Sequence, residues 1–368
     1  MIRLQTLLNY TFFFFLLSTP IVSFAQLSTD LNGPACYLNP DKEVTKTTNA
    51  SASLFDHFQT RDIVELELRT NITQLLKNKK TNNYQTADLS WTDPQGMDKS
   101  LEIRIRPRGK TRRKICSFPP LKLKFKKSVL SEKGFAPVKN LKLVAHCLDD
   151  ELAEENLLKE YLAYKIYNEL TDNSFRVQLL KVNYVDSQDG QSYGQKYAFL
   201  IESSKELEQR LGAKKVNQFN TNLEDLQSQE AQQLAIFQYL IGNTDWKVPF
   251  MHNIKLFKVK NSEYPIAVPY DFDFSGLVNA SYAKTSPDYK QKSVRQRIYL
   301  GANRDFLPET LQMMSEKKDA IYALINNFGL VDAKVKTDLI AFLDAFYETI
   351  SDQKAYKKAF KPLKKRIG

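Results

Sequence analysis

The strongest constraint on the fold is a strict two-residue alternation within segment 99–127. Apolar side chains occupy every second position in two runs, Leu101, Ile103 and Ile105 in the first and Leu121, Leu123 and Phe125 in the second. This alternation predicts two strands that each bury one face. The other positions are mostly cationic: the segment has twelve Lys and Arg residues and a single acidic residue, Glu102, in a chain whose formal net charge is +11.

The first 25 residues have the pattern of a cleaved secretory signal. Arg3 provides a cationic start, residues 11–17 form an apolar stretch too short to cross a bilayer, and residues 23–25 are acceptable to a signal peptidase. An uncleaved anchor is the alternative. We expect residues 26–50 to form a loose leader segment, no transmembrane segment to remain after cleavage, and the protein to be secreted or periplasmic.

The basic segment indicates an anionic ligand, because like charges on one face repel each other unless counter-charges lie nearby. Phosphate groups or a polyanion would supply those charges. The alternative is a solvated basic face without a ligand. Nucleic acid is compatible with the charge, but it is not expected as a partner of a secreted chain.

Three cysteines leave the disulfide pattern open. Cys36, Cys116 and Cys147 form an odd set, so at most one internal bridge can form. We predict a Cys116–Cys147 bridge, since both residues flank the predicted basic strands. Three unpaired buried thiols are the alternative.

Beyond residue 149 the apolar spacing changes from two residues to about four. Leu158, Leu162 and Ile166 recur at helical spacing, and acidic residues crowd the beginning of this run, which predicts a helix over about 151–170. The sequence then predicts two further strands. We therefore expect an α+β protein with a β-rich N-terminal lobe, 51–204, that carries one prominent helix, and a mainly helical C-terminal lobe, 205–368.

Polar residues surround a predicted hairpin in the C-terminal part. A helix is predicted from near Asn222 to Gly242, and strands are predicted near 254–257 and 265–268. A hairpin returns its second strand to the start of its first, and so brings together four polar residues: Asp245, Asn253, Asp271 and Asp273.

These four side chains offer the hard oxygen ligands that Mg²⁺ or Mn²⁺ takes when it holds a phosphate. Two carboxylates about 6 Å apart repel each other by about 3 kcal/mol at an effective dielectric of about 20, and a bound cation would remove that penalty. Lysines of the basic strands would contact the phosphate. The order along the chain is a basic strand, an acidic helix, an Asp, an Asn, a hairpin and a further Asp. This order matches the layout for phosphoryl transfer in protein kinases.

Seven short motifs occur in order between about residues 100 and 280. They are Arg108-Gly109, the run Pro-Pro-Leu-Lys-Leu-Lys-Phe at 119–125, the helix segment 160–164, the strand segment 197–202, Asp245, His252-Asn253, and the run Tyr-Asp-Phe-Asp at 270–273. Together they resemble the CotH-type (spore-coat protein H) atypical protein kinases. Gly109 is the one glycine where ordinary kinases have a glycine-rich phosphate loop.

The resemblance implies a two-lobed protein-kinase-like fold that uses ATP and a divalent metal, Mg²⁺ or Mn²⁺. It implies that Asp245 orients or deprotonates the acceptor hydroxyl. It also implies that Asn253, with Asp271 or Asp273, holds the metal.

The resemblance further implies a set of nucleotide contacts. Lys122 or Lys124 would contact phosphates together with Arg108, and Glu155 or Glu160 would pair with that lysine. Glu202 would lie near the hinge between the lobes.

Two functions from different classes remain open at this stage. The first is a secreted, metal-dependent phosphotransferase that uses ATP to phosphorylate a protein or another hydroxyl acceptor. The second is a non-catalytic kinase-like module whose basic strands bind an anionic glycan, lipopolysaccharide or protein partner. Scarcity of ATP outside the bacterial inner membrane favours the second function.

Overall fold

A computed structural model describes residues 51–148, 150, 152–301 and 305–361. The predicted signal peptide 1–25, the leader segment 26–50 and Cys36 lie outside the described residues.

Seven strands form a closed barrel in the N-terminal half. They are β1 Ile63–Thr70, β2 Gln85–Thr92, β3 Asp98–Pro107, β4 Leu121–Lys124, β5 Asn140–Ala145, β6 Val177–Asp186 and β7 Ser192–Ile201. Around the barrel the order is β1-β2-β3-β4-β5-β7-β6, and β6 returns to β1. The β1–β6 pair is parallel and the other neighbours are antiparallel.

The two-residue alternation in 99–127 is confirmed as two antiparallel barrel strands, β3 and β4. Their apolar residues point inward and are buried, whereas Arg104 lies on the outer face and is exposed. The barrel interior is one hydrophobic core, to which β1 to β7 all contribute. Burial of the apolar faces therefore determines which side of the basic strands faces solvent.

Eleven helices occur in the described residues. They are α1 Leu54–Phe58, α2 Ile72–Lys77, α3 Arg112–Ile115, α4 Lys127–Glu132, α5 Leu152–Leu170, α6 Ser204–Arg210, α7 Ser228–Leu240, α8 Leu307–Glu316, α9 Lys318–Asn326, α10 Ala333–Ser351 and α11 Gln353–Ala359. None of them is both long enough and apolar enough to cross a membrane.

A second, larger core lies outside the barrel, and α5 is part of it. Leu158, Leu162 and Ile166 of α5 are buried there together with Leu179 of β6 and Phe199 of β7. Helices α7 to α10 complete this core. The predicted helix at about 151–170 is confirmed, and it connects the barrel with the C-terminal helices.

The C-terminal part also contains a small antiparallel sheet in the order β10-β9-β8. Its strands are β8 Ala213–Val216, β9 Ile254–Val259 and β10 Ile266–Pro269. The predicted hairpin is confirmed as β9 and β10. The predicted helix start near Asn222 is wrong, because a short 3₁₀ helix at Leu223–Asp225 precedes α7, which begins at Ser228.

The α+β class is confirmed by this mixture of elements. The closed barrel was not predicted, and neither was a core shared between α5 and the C-terminal helices. The division into two kinase-like lobes at 204/205 therefore stays a hypothesis.

The predicted disulfide is confirmed: Cys116 is bonded to Cys147. Cys116 directly follows α3 and Cys147 lies two residues beyond β5, so the bond ties the β3–β4 connection to the end of β5. It closes a loop with a sequence separation of 31 residues.

Removing this bond should destabilise the protein. We expect the Cys116→Ala/Cys147→Ala variant to lose about 2–4 kcal/mol in the free energy of unfolding, because a bridge of this span restricts the unfolded chain. Urea unfolding followed by circular dichroism measures this quantity, with Cys36→Ala as the control that should leave it unchanged. Equal stability of the double variant and the wild type would contradict the prediction.

Candidate active site

One buried arginine, Arg112, joins three acidic side chains. Its Nη2 lies 2.7 Å from Glu160 Oε2 and 3.3 Å from Asp271 Oδ1, and its Nε lies 2.8 Å from Asp273 Oδ2. Arg112, Glu160 and Asp273 are each less than a tenth exposed. Carboxylate oxygens of Glu160, Asp271 and Asp273 lie within 4.8 Å of one another. We call these four residues the Arg112 cluster.

Three separate segments supply the Arg112 cluster. Arg112 is the first residue of α3 in the β3–β4 connection, after a turn at Gly109 whose φ of +88° suits glycine. Glu160 lies in the middle of α5, and the two aspartates follow β10. The cluster therefore fastens the barrel connection to the helix and to the hairpin.

Burial dominates the electrostatics of this cluster. Burial raises the pKa of Glu160 to about 8 although Arg112 opposes the shift, and it raises the pKa of Asp273 for the same reason. Burial alone would lower the pKa of Arg112, but the charges of Asp273 and Glu160 raise it well above its usual value. One guanidinium thus faces three carboxyl groups, and burial raises the pKa of two of them, Glu160 and Asp273.

Glu160 has one oxygen without a partner. Its Oε1 is buried and accepts or donates no hydrogen bond within the described chain. Glu160 and Arg112 line a cavity of about 10 Å³, together with Cys147 and Tyr282. A cavity of this size holds about one water molecule, which would serve the orphaned oxygen.

The loop that carries Asp245 starts from a well-defined helix end. Gly242 has a φ of +64° and follows α7, and the N–H of Asn243 donates to the carbonyl of Gln238, as in a Schellman motif. The side chain of Asn243 then accepts from the N–H of Asp245 at 2.9 Å. These bonds determine where Asp245 leaves the helix.

The side chain of Asp245 is held by two residues of the same loop. Its Oδ1 lies 2.8 Å from His252 Nε2, and the Asn253 amide donates to its Oδ2 at 2.9 Å and to its carbonyl at 2.8 Å. The hydrogen bond to Asp245 raises the pKa of His252. Asp245 remains about one-third exposed and is therefore accessible to an acceptor.

The hairpin brings Asp245 and the Arg112 cluster together, as the sequence predicts. The N–H of Tyr270 donates to the carbonyl of Asn253 at 3.0 Å, and the N–H of Asp271 is bonded to the Tyr164 hydroxyl at 2.8 Å. Burial is the main reason why the pKa of Asp273 is raised, and the charge of Asp245 adds to the shift.

A cationic group lies beside Asp271. Lys142 of β5 has its Nζ 4.5 Å from the centre of the Tyr270 ring, and Lys255 of β9 has its Nζ 5.3 Å from the same ring. Burial, with Lys255 and Arg108 nearby, lowers the pKa of Lys142 well below its usual value, and burial lowers that of Lys255 to about 8. We call Lys142, Lys255 and Arg108 the inner cations.

The inner cations lack carboxylate partners in ion pairs within the described residues. The charge of Asp271 acts on Lys142 but is outweighed by burial and by the neighbouring cations, and Lys255 donates to the Ser204 hydroxyl at 2.6 Å. An anionic ligand would therefore remove a repulsion that the protein itself leaves uncompensated.

Lys122 and Lys124, the predicted phosphate lysines, lie on the outer face of the barrel. Lys124 Nζ is 5.0 Å from the centre of the Tyr84 ring, and Lys122 also interacts with Tyr84. The predicted pairing of either lysine with Glu155 or Glu160 is wrong. Glu160 pairs with Arg112, and Glu155 pairs with Lys159 one turn along α5, at 2.8 Å.

Glu202 lies directly after β7, between the barrel and α6. It is fully buried and bonded to Arg176 at 2.8 Å and to Arg210 at 2.9 Å. Its carboxylate is therefore committed to structural ion pairs, and its role at a hinge stays a prediction.

Sequence reasoning missed Arg112, Lys142 and Lys255. Arg112 stands in the β3–β4 connection among four other cations, where the sequence has no signal for the one that is buried. Lys142 and Lys255 each alternate with apolar residues in a strand, a pattern shared by any solvent-facing lysine. Their partners come from distant segments, so only the fold distinguishes them.

The oxygens around Asp271 fit a divalent cation. Asn253 uses its amide nitrogen for Asp245, Asp271 approaches Arg112 through Oδ1, and Asp273 binds Arg112 through Oδ2. Each side chain thus keeps one oxygen that makes no hydrogen bond within the described residues. Two carboxylates and an amide oxygen are a ligand set for Mg²⁺ or Mn²⁺.

Comparison with solved structures finds similarity to a Helicobacter pylori proinflammatory kinase, CtkA. The sequence identity is 14%, the TM-score is 0.38, and the alignment covers 67% of this chain and 93% of that chain. A TM-score of 0.38 does not establish a shared fold. No protein-family model and no curated protein sequence matches this chain.

Removing the guanidinium of Arg112 should destabilise the fold strongly. We expect Arg112→Met to lose about 3–5 kcal/mol in the free energy of unfolding, because Glu160 and Asp273 stay buried without a counter-ion. Arg69→Met, which removes an exposed pair with Glu67, should lose at most about 1 kcal/mol. Urea unfolding compares the two variants, and equal losses would contradict the prediction.

The raised pKa of Glu160 predicts that stability falls as pH rises. Between 4.5, the ordinary pKa, and about 8 the folded protein binds this proton more tightly than the unfolded chain does, so the stability it contributes is lost across that range. The slope of the unfolding free energy against pH reports the difference in bound protons between the unfolded and the folded protein. We expect Glu160→Gln to reduce this difference by up to about one proton and so to flatten the slope. Glu155→Gln is the control, and an unchanged slope in Glu160→Gln would contradict the prediction.

Proposed function

We propose that the chain is a metal-dependent phosphotransferase that uses ATP to phosphorylate the hydroxyl group of a protein or another acceptor. One observation carries the proposal: cations without ion pairs in the described chain lie next to the aspartates. Lys142 and Lys255 pack against the ring of Tyr270, which directly precedes Asp271, and the N–H of Tyr270 donates to the carbonyl of Asn253 in the loop that holds Asp245. A polyphosphate with a divalent cation complements both charge groups at once.

The inner cations would bind the phosphates. Lys142 and Lys255 approach from two different sheets, and Arg108 approaches from the β3–β4 connection, so the three can surround one anion. Phosphate binding would raise the pKa of Lys142, because a nearby negative charge favours the charged form of a lysine. In this assignment Lys122, which lies opposite Lys142 in the β4–β5 register, is an outer contact.

A divalent cation held by Asn253, Asp271 and Asp273 would neutralise charge on the transferred phosphoryl group. Asn253 directly precedes β9, and Asp271 lies two residues after β10. Both residues have a positive φ, +53° and +70°, so each adopts a left-handed backbone conformation at the open end of the hairpin. Tyr164 stabilises the turn at Asp271 through its hydroxyl.

Asp245 would orient the acceptor hydroxyl and take its proton. Its two partners assist in different ways: Asn253 fixes the carboxylate, and His252 can hold positive charge beside it. A carboxylate that is one-third exposed can accept a hydrogen bond from a substrate, whereas Glu160 and Asp273 are buried and committed to Arg112.

Arg112 would act as a positioning residue. It occupies one side of the aspartates and leaves their remaining oxygens free for a metal. It also connects α5 to the β3–β4 connection, which carries Arg108. The CotH-type kinase-like fold, the division into two lobes and secretion through the signal peptide belong to this proposal as predictions from the sequence.

A non-catalytic module that binds an anionic partner is the second candidate function. The observation that favours it is the outer cationic surface around Tyr84, which is separate from Asp245. The two cationic surfaces adjoin, since Lys122 beside Tyr84 lies opposite Lys142 in the β4–β5 register.

Nucleotide binding should depend on Lys142 and not on an exposed lysine of comparable charge. ATP with Mn²⁺ at about 100 times its dissociation constant should stabilise the wild type by about 2.7 kcal/mol, measured as an increase in melting temperature. Lys142→Met should lose most of this increase, and Lys258→Met, an exposed control on β9, should keep it. A wild type that shows no increase would overturn the nucleotide assignment.

Asp245→Asn should separate binding from transfer. We expect this variant to keep the melting-temperature increase with ATP and Mn²⁺ and to lose phosphate transfer from radiolabelled ATP by about 10²- to 10⁴-fold, because a proton acceptor is removed. Asp288→Asn, an exposed control in the C-terminal part, should leave transfer unchanged. Transfer by Asp245→Asn at the wild-type rate would contradict the assigned role.

A further inference from the structure

Four cations of the barrel surround one tyrosine on its outer face. The guanidinium carbons of Arg104 and Arg106 lie 5.5 Å and 5.4 Å from the centre of the Tyr84 ring, and Lys124 Nζ lies 5.0 Å from it. Partial burial of the ring raises the pKa of Tyr84, but Arg106 and Lys122 together lower it below its usual value. We call these five residues the Tyr84 surface.

The strand register places like charges directly opposite each other. Arg104 faces Lys124 and Arg106 faces Lys122 across the β3–β4 pair. Opposed like charges destabilise an antiparallel pair. None of the four cations forms an ion pair with a carboxylate of the described chain, whereas the adjacent Lys126 pairs with Glu102 at 3.2 Å. The repulsion is therefore concentrated at the Tyr84 surface.

A polar cavity adjoins the Tyr84 surface. It has a volume of about 110 Å³ and shares Tyr84 with the cations. Side-chain amides dominate its lining, those of Gln74, Asn78, Asn83 and Gln85. Gln85 donates to Thr70 and to the carbonyl of Asn71, but the other three amides make no side-chain hydrogen bond to described residues.

The cavity amides and the cations, which lack carboxylate partners in the described chain, indicate different parts of one ligand, although Arg106 also donates to Asn82 and to the carbonyl of Pro107. An amide both donates and accepts, which suits hydroxyl groups that also do both. Arginine and lysine favour an anionic group such as sulfate, phosphate or carboxylate. An acidic peptide would supply charges but few hydroxyl groups for the cavity. A saccharide with an anionic substituent supplies both.

We propose that the Tyr84 surface and its cavity form a binding site for an anionic saccharide. The anionic substituent lies among Arg104, Arg106, Lys122 and Lys124, and hydroxyl groups of the sugar occupy the amide-lined cavity. The site uses neither Asp245 nor the aspartates after β10, although Lys122 lies opposite the inner cation Lys142 in the β4–β5 register. It rests on the second candidate function, to which it gives a ligand class.

Isothermal titration calorimetry on the purified protein tests this site with four probes. They are a sulfated heparin-derived tetrasaccharide, neutral maltotetraose, hexaglutamate and sodium sulfate, all at an ionic strength of about 0.1 M. We expect the sulfated tetrasaccharide to bind at least about tenfold more tightly than each of the other three, because it alone satisfies both halves of the site. Equal affinity for sulfate or hexaglutamate would overturn the saccharide assignment.

Variants locate the site on the molecule. Arg106→Gln/Lys124→Gln should weaken the tetrasaccharide by about tenfold or more, since it removes two charged hydrogen-bond donors. Lys258→Gln/Lys334→Gln, with the same change in net charge at exposed positions elsewhere, should bind as the wild type does. Equal weakening in both variants would overturn the site, because it would show a general charge effect.

Two further variants test the role of the amide-lined cavity and the independence of the saccharide site from Asp245. Gln74→Ala/Asn83→Ala should weaken the tetrasaccharide without changing the affinity for sulfate, and an unchanged tetrasaccharide affinity would exclude the cavity. Asp245→Asn should bind the tetrasaccharide as the wild type does. Loss of binding in Asp245→Asn would overturn the independence of the two sites, whatever the outcome for phosphate transfer.

Discussion

The buried contact between Arg112 and its three carboxylates is the interaction on which the rest of the site depends. A guanidinium and carboxylates removed from water incur a large desolvation penalty, which is offset only when the geometry is good and each group keeps its partner. The same contact joins the barrel connection, α5 and the segment after β10. It therefore places Asp271 and Asp273 relative to the barrel, and the disulfide at the end of α3 restrains the same connection.

Acidic and basic groups lie next to each other without neutralising each other completely. Asp271 stands between Arg112 on one side and Lys142 with Lys255 on the other. This arrangement lowers the pKa of Lys142, chiefly through burial, and leaves carboxylate oxygens without hydrogen bonds in the described chain, which is unfavourable in the isolated protein. Groups held in this way are typical of sites whose charges are completed by a ligand. Opposed cations on β3, β4 and β5 continue this uncompensated positive charge along the outer face of the barrel.

The local patterns predicted their elements well because each depends on residues close in sequence. Alternation identified β3 and β4, helical spacing identified α5, and turn residues identified the β9–β10 hairpin, which brought Asp245 and Asp271 together. The closed barrel was missed, because the β1–β6 and β5–β7 pairings join distant segments. The predicted partner of Glu160 was wrong for the same reason. The sequence does not show which of the lysines and arginines in this region is buried beside Glu160, because that depends on contacts between distant segments.

The sequence by itself determined which residues form strands and helices, which faces are apolar, and that an excess of cations must lie on the outer face of two strands. Those properties follow from side-chain spacing and from the hydrophobic effect acting on short segments. The tertiary structure alone decided which of many cations became buried, since that choice depends on contacts between segments far apart in the chain. Arg112 pairs with Glu160 and Asp273, which lie 48 and 161 residues away in the sequence. The pKa of Lys142 is lowered by burial and by Lys255 of β9.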